Sequence, residues 1–184
     1  MAEHRTVAMR ADAVLNRERI LTVAYAAFAD DTRVSLNAIA KLAGVGAGTL
    51  YRHFPTREDL ILAVYQQEIQ ALVEAVHDIL DKYPPLEALR VWFLRLAGFV
   101  RVKHGLGEAL QTAAAQTVVK QTEAPVTEAI GVLLQACENV GDVRPGLEPA
   151  DVLLLMGFLW RVAPGDAGEQ QARRVLDLAI CGLQ

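Results

Sequence analysis

Three groupings of side chains in this 184-residue sequence have types and spacings that do chemistry. His104 and Glu108 stand one helical turn apart, and His77 lies close to Asp78 and Asp81, so each is the start of a metal or acid–base site. Neither has a third ligand at helical spacing, so the sequence is read as holding no catalytic residues, no metal site and no cofactor. The third grouping is Thr49, Tyr51, Arg52 and His53. A hydroxyl, a phenol, a guanidinium and an imidazole within five residues form a donor set suited to phosphates and base edges. Just ahead of them, Gly46, Ala47 and Gly48 carry no long side chain. A helix starting there brings its backbone N–H groups close to a phosphate. Tyr51 as a half-buried packing aromatic and His53 as a helix-end cap are the plainer readings.

Those four side chains need a helix that turns them outward. Ile20, Ala24 and Phe28 recur at i, i+4 and i+8, with Leu21 and Ala27 beside them, and mark a first helix. Ser35 then reads as the N-cap of a short second helix whose Leu36, Ile39, Ala40 and Ala43 share one face. Gly44 ends that helix, as a glycine able to take positive φ does. A third helix places Leu50 and Phe54 on its inner side, and Pro55 stops it. A helix-turn-helix over about residues 36–55 requires a small residue at Ala40, a glycine four positions later, and an apolar anchor at Leu50. A plain helical hairpin satisfies the same spacing; the outward donor set favours DNA.

Helical periodicity continues to the end of the chain, and the fold class is all-α with about nine helices. Thr56-Arg57-Glu58-Asp59 opens a fourth helix of roughly 25 residues, about 38 Å long at 1.5 Å per residue. Its ridge runs through Ile61, Tyr65, Ile69, Leu72, Val76, Ile79 and Leu80 to Pro84-Pro85. Further helices are expected over residues 86–103, 108–117, 124–139, 151–162 and 169–183. The apolar run 152–160 would circle its helix and needs two buried faces. One is expected in the protomer; the other meets a second copy across a two-fold axis, together with Val175, Leu178, Ala179 and Leu183 of the last helix. A central helix enclosed by its own protomer is the alternative.

Composition bounds the rest. Apolar residues make up 53% and charged residues 22%, enough to bury a large core and to exclude overall disorder. Two cysteines, Cys137 and Cys181, in no ligand pattern point to a reducing compartment. The first nineteen residues lack the apolar centre of a signal peptide, and the nine-residue apolar run is about half a membrane span. A cytoplasmic, membrane-free protein is expected. Residues 1–60 hold eight basic and seven acidic residues, and residues 61–184 hold ten and fifteen, so the net charge of −4 falls on the second part. Charge alone would not point to nucleic acid.

Residues 16–62 resemble the DNA-binding domain of the TetR family of bacterial transcriptional regulators. The carrying segments are residues 16–21, 35–45 and 48–55, the last continuing through Thr56-Arg57-Glu58-Asp59-Leu60. The resemblance implies a homodimer whose third helices enter neighbouring major grooves of a palindromic operator. It also implies a C-terminal domain, residues 63–184, that binds a small-molecule effector, dimerises and releases DNA when occupied. By position, Thr49, Tyr51 and His53 match DNA-contacting sites of the family, and Ser35 and Arg57 match phosphate-facing ones. Arg52 falls where the family varies, and Gly46 and Ala47 are smaller than usual. Residues 1–15, with Arg5 and Arg10, are expected to form a flexible arm.

The later part resembles the SbtR-like C-terminal domain. An effector pocket is expected among the fifth to eighth helices, walled by Trp92, Phe93, Phe99 and Trp160, with His104 and Gln111 as polar contacts. The rival reading is a helical dimer that binds a small molecule or protein and no DNA.

Overall fold

In the computed structural model, residues 2–31, 33–105, 113–163 and 165–184 are described, with side chains described for 14–31, 33–98, 117, 120–159, 161–163 and 165–184. Among these, the chain forms eight α-helices, one 3₁₀ segment and no strand. The helices are α1 (Ala2–Asp30), α2 (Leu36–Leu42), α3 (Ala47–His53), α4 (Arg57–Leu80), α5 (Pro85–Gly105), α6 (Ala113–Val140), α7 (Pro149–Leu155) and α8 (Asp166–Cys181). The 3₁₀ segment, Met156–Arg161, lies between α7 and α8.

Two hydrophobic cores share α4. The first closes around Ile20, Phe28, Ile39, Leu50, Phe54 and Leu60, and ends at Val64. The second begins at Tyr65 and gathers Leu72, Ile79, Leu89, Trp92, Phe93, Ile130, Leu133, Leu176 and Ile180. The 24 residues of α4 make a rod about 36 Å long that is buried first in the head and then in the body. Tyr25 on α1 packs against both cores. In the body, α4, α5 and α6 pack on one another, and α8 closes against α5. Two polar links pin this arrangement: the Tyr65 hydroxyl meets Thr122 Oγ1 at 2.8 Å, and Arg90 joins Glu87 at 2.6 Å and Asp177 at 2.8 Å.

Four expectations need correction. The stretch 2–15, expected as an arm, is the first half of α1; no glycine or proline interrupts the chain from Ala2 to Asp30, so nothing local stops the helix. The helices expected at 108–117 and 124–139 do not part between 117 and 124, because α6 runs unbroken through Pro125. Residues 106–112 lie outside the described set. Pro125 has no N–H to give the Gln121 carbonyl, a local loss the surrounding helix packing absorbs. The helix expected over 151–162 changes at Met156 to 3₁₀ winding, which puts Met156 and Leu159 three residues apart on one buried edge. Finally, Leu183, expected with Val175, Leu178 and Ala179 at the contact with a second copy, is buried within its own protomer. The Arg144 N–H donates to its carbonyl at 3.0 Å, and the Arg144 guanidinium donates to that of Gly182 at 3.2 Å.

Candidate nucleic-acid interface

The helix-turn-helix is built by short-range chemistry. Ser35 caps α2, its Oγ accepting from the Ala38 N–H at 3.2 Å. At the other end, Gly44 takes φ +64°, a conformation that costs a β-branched side chain heavily. This lets its N–H reach the Lys41 carbonyl at 3.1 Å and the Val45 N–H reach that of Ala40 at 3.0 Å. The double bond is a Schellman closure, and it sets the sharp turn into α3. Beyond α3, Thr56 and Asp59 cap α4 reciprocally, Asp59 N–H to Thr56 Oγ1 at 3.1 Å and Thr56 N–H to Asp59 Oδ2 at 3.0 Å.

Within α3 the faces separate cleanly. Leu50 has no exposed surface and Phe54, just past the last turn, is buried with it. Gly46, Ala47, Gly48, Tyr51 and Arg52 are exposed; Thr49 and His53 are half-buried at the edges of the same surface. Tyr51 leaves 44% of its area open, too much for a packing aromatic of the head core. A β-carbon at Gly48 would meet nothing within 4 Å, so the start of α3 faces open space. Sequence reasoning passed over Asn37 and Lys41 on α2, both exposed; their signal is the polar side of the amphipathic pattern around Ile39. Arg17 sits with its guanidinium 5.5 Å from the Phe54 ring centre, tying α1 to the end of α3.

Arg57 is turned inward relative to its expected phosphate-facing role. Its guanidinium donates to the Val34 carbonyl and lies 5.0 Å over the Phe28 ring. Arg57 thus clips the loop before Ser35 to the first turn of α4 and braces α2. Arg57→Ala is expected to lower head stability by about 1–3 kcal/mol, the worth of a charged hydrogen bond with a cation–π contact. A thermal melt reads that loss. An additional phosphate contact would show as a fall of about one in the salt slope of DNA binding.

The expected effector walls are placed differently. Trp92 and Phe93 meet edge to face at 5.3 Å inside the closed body core, and the Trp92 indole N–H donates to the Leu72 carbonyl at 3.0 Å. Gln111 lies outside the described residues, as do the side chains of Phe99, His104 and Trp160. Two cavities are formed by described residues, and both flank α4 where it leaves the head. One, about 750 Å³, opens between α1, α4 and α6 beside Thr22, Gln66, Gln70, Gln121 and Pro125. The other, about 340 Å³, lies between α1, α4 and α5.

A small helical head with a capped, glycine-turned helix pair and an exposed third helix defines a helix-turn-helix DNA-binding protein. Comparison with known proteins narrows the class. The model of bacterial regulatory proteins of the tetR family matches residues 20–64, and that of the SbtR-like transcriptional regulator C-terminal domain matches residues 84–184. The TetR transcriptional regulator SCO0520 from Streptomyces coelicolor is 34% identical, over 91% of this chain and 98% of that one, with a TM-score of 0.80. A TetR transcription regulatory protein from Mycobacterium vanbaalenii is 33% identical, over 96% and 99% of the two chains, with a TM-score of 0.76. A helix-turn-helix-type transcriptional regulator of Staphylococcus aureus is 40% identical over 77 residues, 41% of this chain and 42% of that protein. The match therefore spans about two fifths of the curated relatives' length.

This chain belongs to the TetR family and is a DNA-binding transcriptional regulator. Among the described residues, no helix is long and apolar enough to cross a membrane.

Proposed function

We propose that this chain is a ligand-responsive repressor that binds a palindromic operator as a homodimer in the cytoplasm and carries out no catalysis itself. The observation that carries the reading is the division of α3, with Leu50 and Phe54 locked into the head while Thr49, Tyr51, Arg52 and His53 lie along its open side. Support for the dimer comes from the body's exposed apolar side chains. Within the body, Leu154 is 80% and Leu178 73% exposed, apolar side chains on α7 and α8 that one protomer leaves in water. A second copy related by a two-fold axis covers both. The continuous α4 supports a route by which an effector in the body shifts the head.

Selecting bound duplexes from a random DNA pool tests recognition and symmetry together. The expected product is a palindrome whose half-sites lie about one helical turn or a multiple apart, roughly 34–36 Å per turn. Binding weakens steeply with salt as phosphate contacts release counterions. A pool with no enriched sequence and a flat salt response would favour the helical dimer that binds no DNA. Thr49→Ala and Tyr51→Phe are each expected to weaken operator binding by about 1–3 kcal/mol. Both should leave the melting temperature nearly unchanged, because neither side chain belongs to the head core. Normal affinity in both variants would remove this face of α3 from the interface.

A further inference from the structure

The cavity of about 340 Å³ between α1, α4 and α5 is lined by Tyr25, Glu68, Ala71, Leu72, Arg95 and Gly98. Its volume falls in the range of small-molecule sites, roughly 300–1,000 Å³. Two facts set it apart from a packing gap. Glu68 on α4 and Arg95 on α5 both border it, and among the described residues neither has an ion-pair partner. Glu68 is half-buried, and burial holds its carboxyl above the ordinary glutamate range because its charged form is poorly solvated there. A half-buried carboxylate is costly to ionise, and an ammonium brought in by a ligand would relieve that cost. The guanidinium offers a planar pair of donors to a carboxylate. Ala71 and Leu72 add aliphatic lining to the same cavity.

We propose that this cleft binds a small aliphatic zwitterion of the amino-acid class, its ammonium on Glu68, its carboxylate on Arg95 and its carbon chain on Ala71 and Leu72. The site differs from the expected effector pocket walled by Trp92 and Phe93, which pack into the closed core. Tyr25 gives it a second consequence. That ring belongs to α1 and packs against both the head and body cores, so a ligand beside it fixes the angle at which α1 leaves the body. Binding at the cleft stands independently of the operator reading; only its effect on DNA affinity rests on it.

The test uses the full chain without DNA, titrated by calorimetry with L-leucine and with ε-aminocaproate, which differ in charge separation. Caproate and hexylamine serve as single-charge counterparts. At least one zwitterion should bind in the low-millimolar range or tighter, and about tenfold or more tighter than either counterpart, as expected for two charge-assisted contacts in place of one. Glu68→Gln and Arg95→Gln should each lose that preference. Their melting temperatures should not fall, since one variant removes a poorly solvated charge and the other alters an exposed side chain. Binding of neither zwitterion, binding of caproate or hexylamine as tight as that of the zwitterions, or undiminished preference in both variants would overturn the proposal. Operator affinity, measured separately with and without the zwitterion, reports only on the coupling through α1.

Discussion

Replacing Leu50 with alanine is expected to unseat α3 and abolish operator binding, at a cost of about 2–5 kcal/mol, the range for emptying a buried leucine site. Leu50 is wholly buried and is the one residue of α3 enclosed by the head core. A helix of seven residues has no stability of its own in water, so α3 exists only while it is packed. For a chain of this length each kcal/mol lowers the melting temperature by about 2–4 °C, so the loss is plain in a melt. Its distribution is the sharper readout. The core that Leu50 serves closes within residues 20–64, whereas Trp92, Ile130 and Leu176 belong to the second core. Amides of α2 and α3 should therefore lose hydrogen-exchange protection well before those of α5 and α8. Tyr51→Phe is the matched control: it should weaken DNA binding with α3 still seated. If Leu50→Ala retained operator affinity, α3 would not be the reading helix.

What the sequence disclosed follows the range of the interactions involved. The Ser35 cap, the Gly44 turn and the threonine start of α4 are made by residues within five positions of one another, and each was readable from residue type and spacing. The inward placement of Leu50 and Phe54 was readable for the same reason. Contacts across long stretches of chain were not. Arg57 and Val34 are 23 positions apart, and no local pattern says that an arginine beside a helix start turns back to a loop carbonyl. The tie from Arg90 to Asp177 spans 87 positions. Pro125 does not say where a helix begins, because a proline suits both a helix's first turn and, at some cost, its interior. Only the packing of α6 along α4 and α5 decides for the interior. Apolar periodicity also fails to separate α-helical from 3₁₀ winding over a single turn. Val152, Met156 and Leu159 are all buried at spacings of four and then three. The aromatic side chains Trp92 and Phe93 show a similar limit. Size and hydrophobicity suit a pocket wall and a core alike, and the indole bond to the Leu72 carbonyl is what commits Trp92 to the core.

Among the described glycines, Gly168 is where a substitution by alanine meets the steepest local conflict. Gly168 is the third residue of α8, and a β-carbon there would overlap the Ala163 carbonyl oxygen, with the carbonyl carbon at 2.8 Å and Val162 Cγ1 at 3.3 Å. The obstacle is backbone, so no side-chain rotation relieves it; either α8 or residues 162–163 must move. Further along α8, Ala172, Leu176 and Ile180 are buried, and Asp177 holds Arg90 at 2.8 Å. Shifting the helix therefore opens the body core and strains that link together. The expected cost is about 1–3 kcal/mol or somewhat more, the range for overpacking a filled site, and a melt reads it directly. A second effect follows from the opposite face of α8. Leu178 is 73% exposed, and in the proposed dimer it meets the second copy, so moving α8 misaligns that contact. Sedimentation should show Gly168→Ala dissociating at protein concentrations where the parent chain is dimeric. The head is untouched, so affinity for an isolated half-site should persist while affinity for the full palindrome falls, since linked binding of two heads multiplies avidity. Equal loss on half-site and palindrome would mean that the damage reaches α3 through α4 and leaves the dimer contact intact.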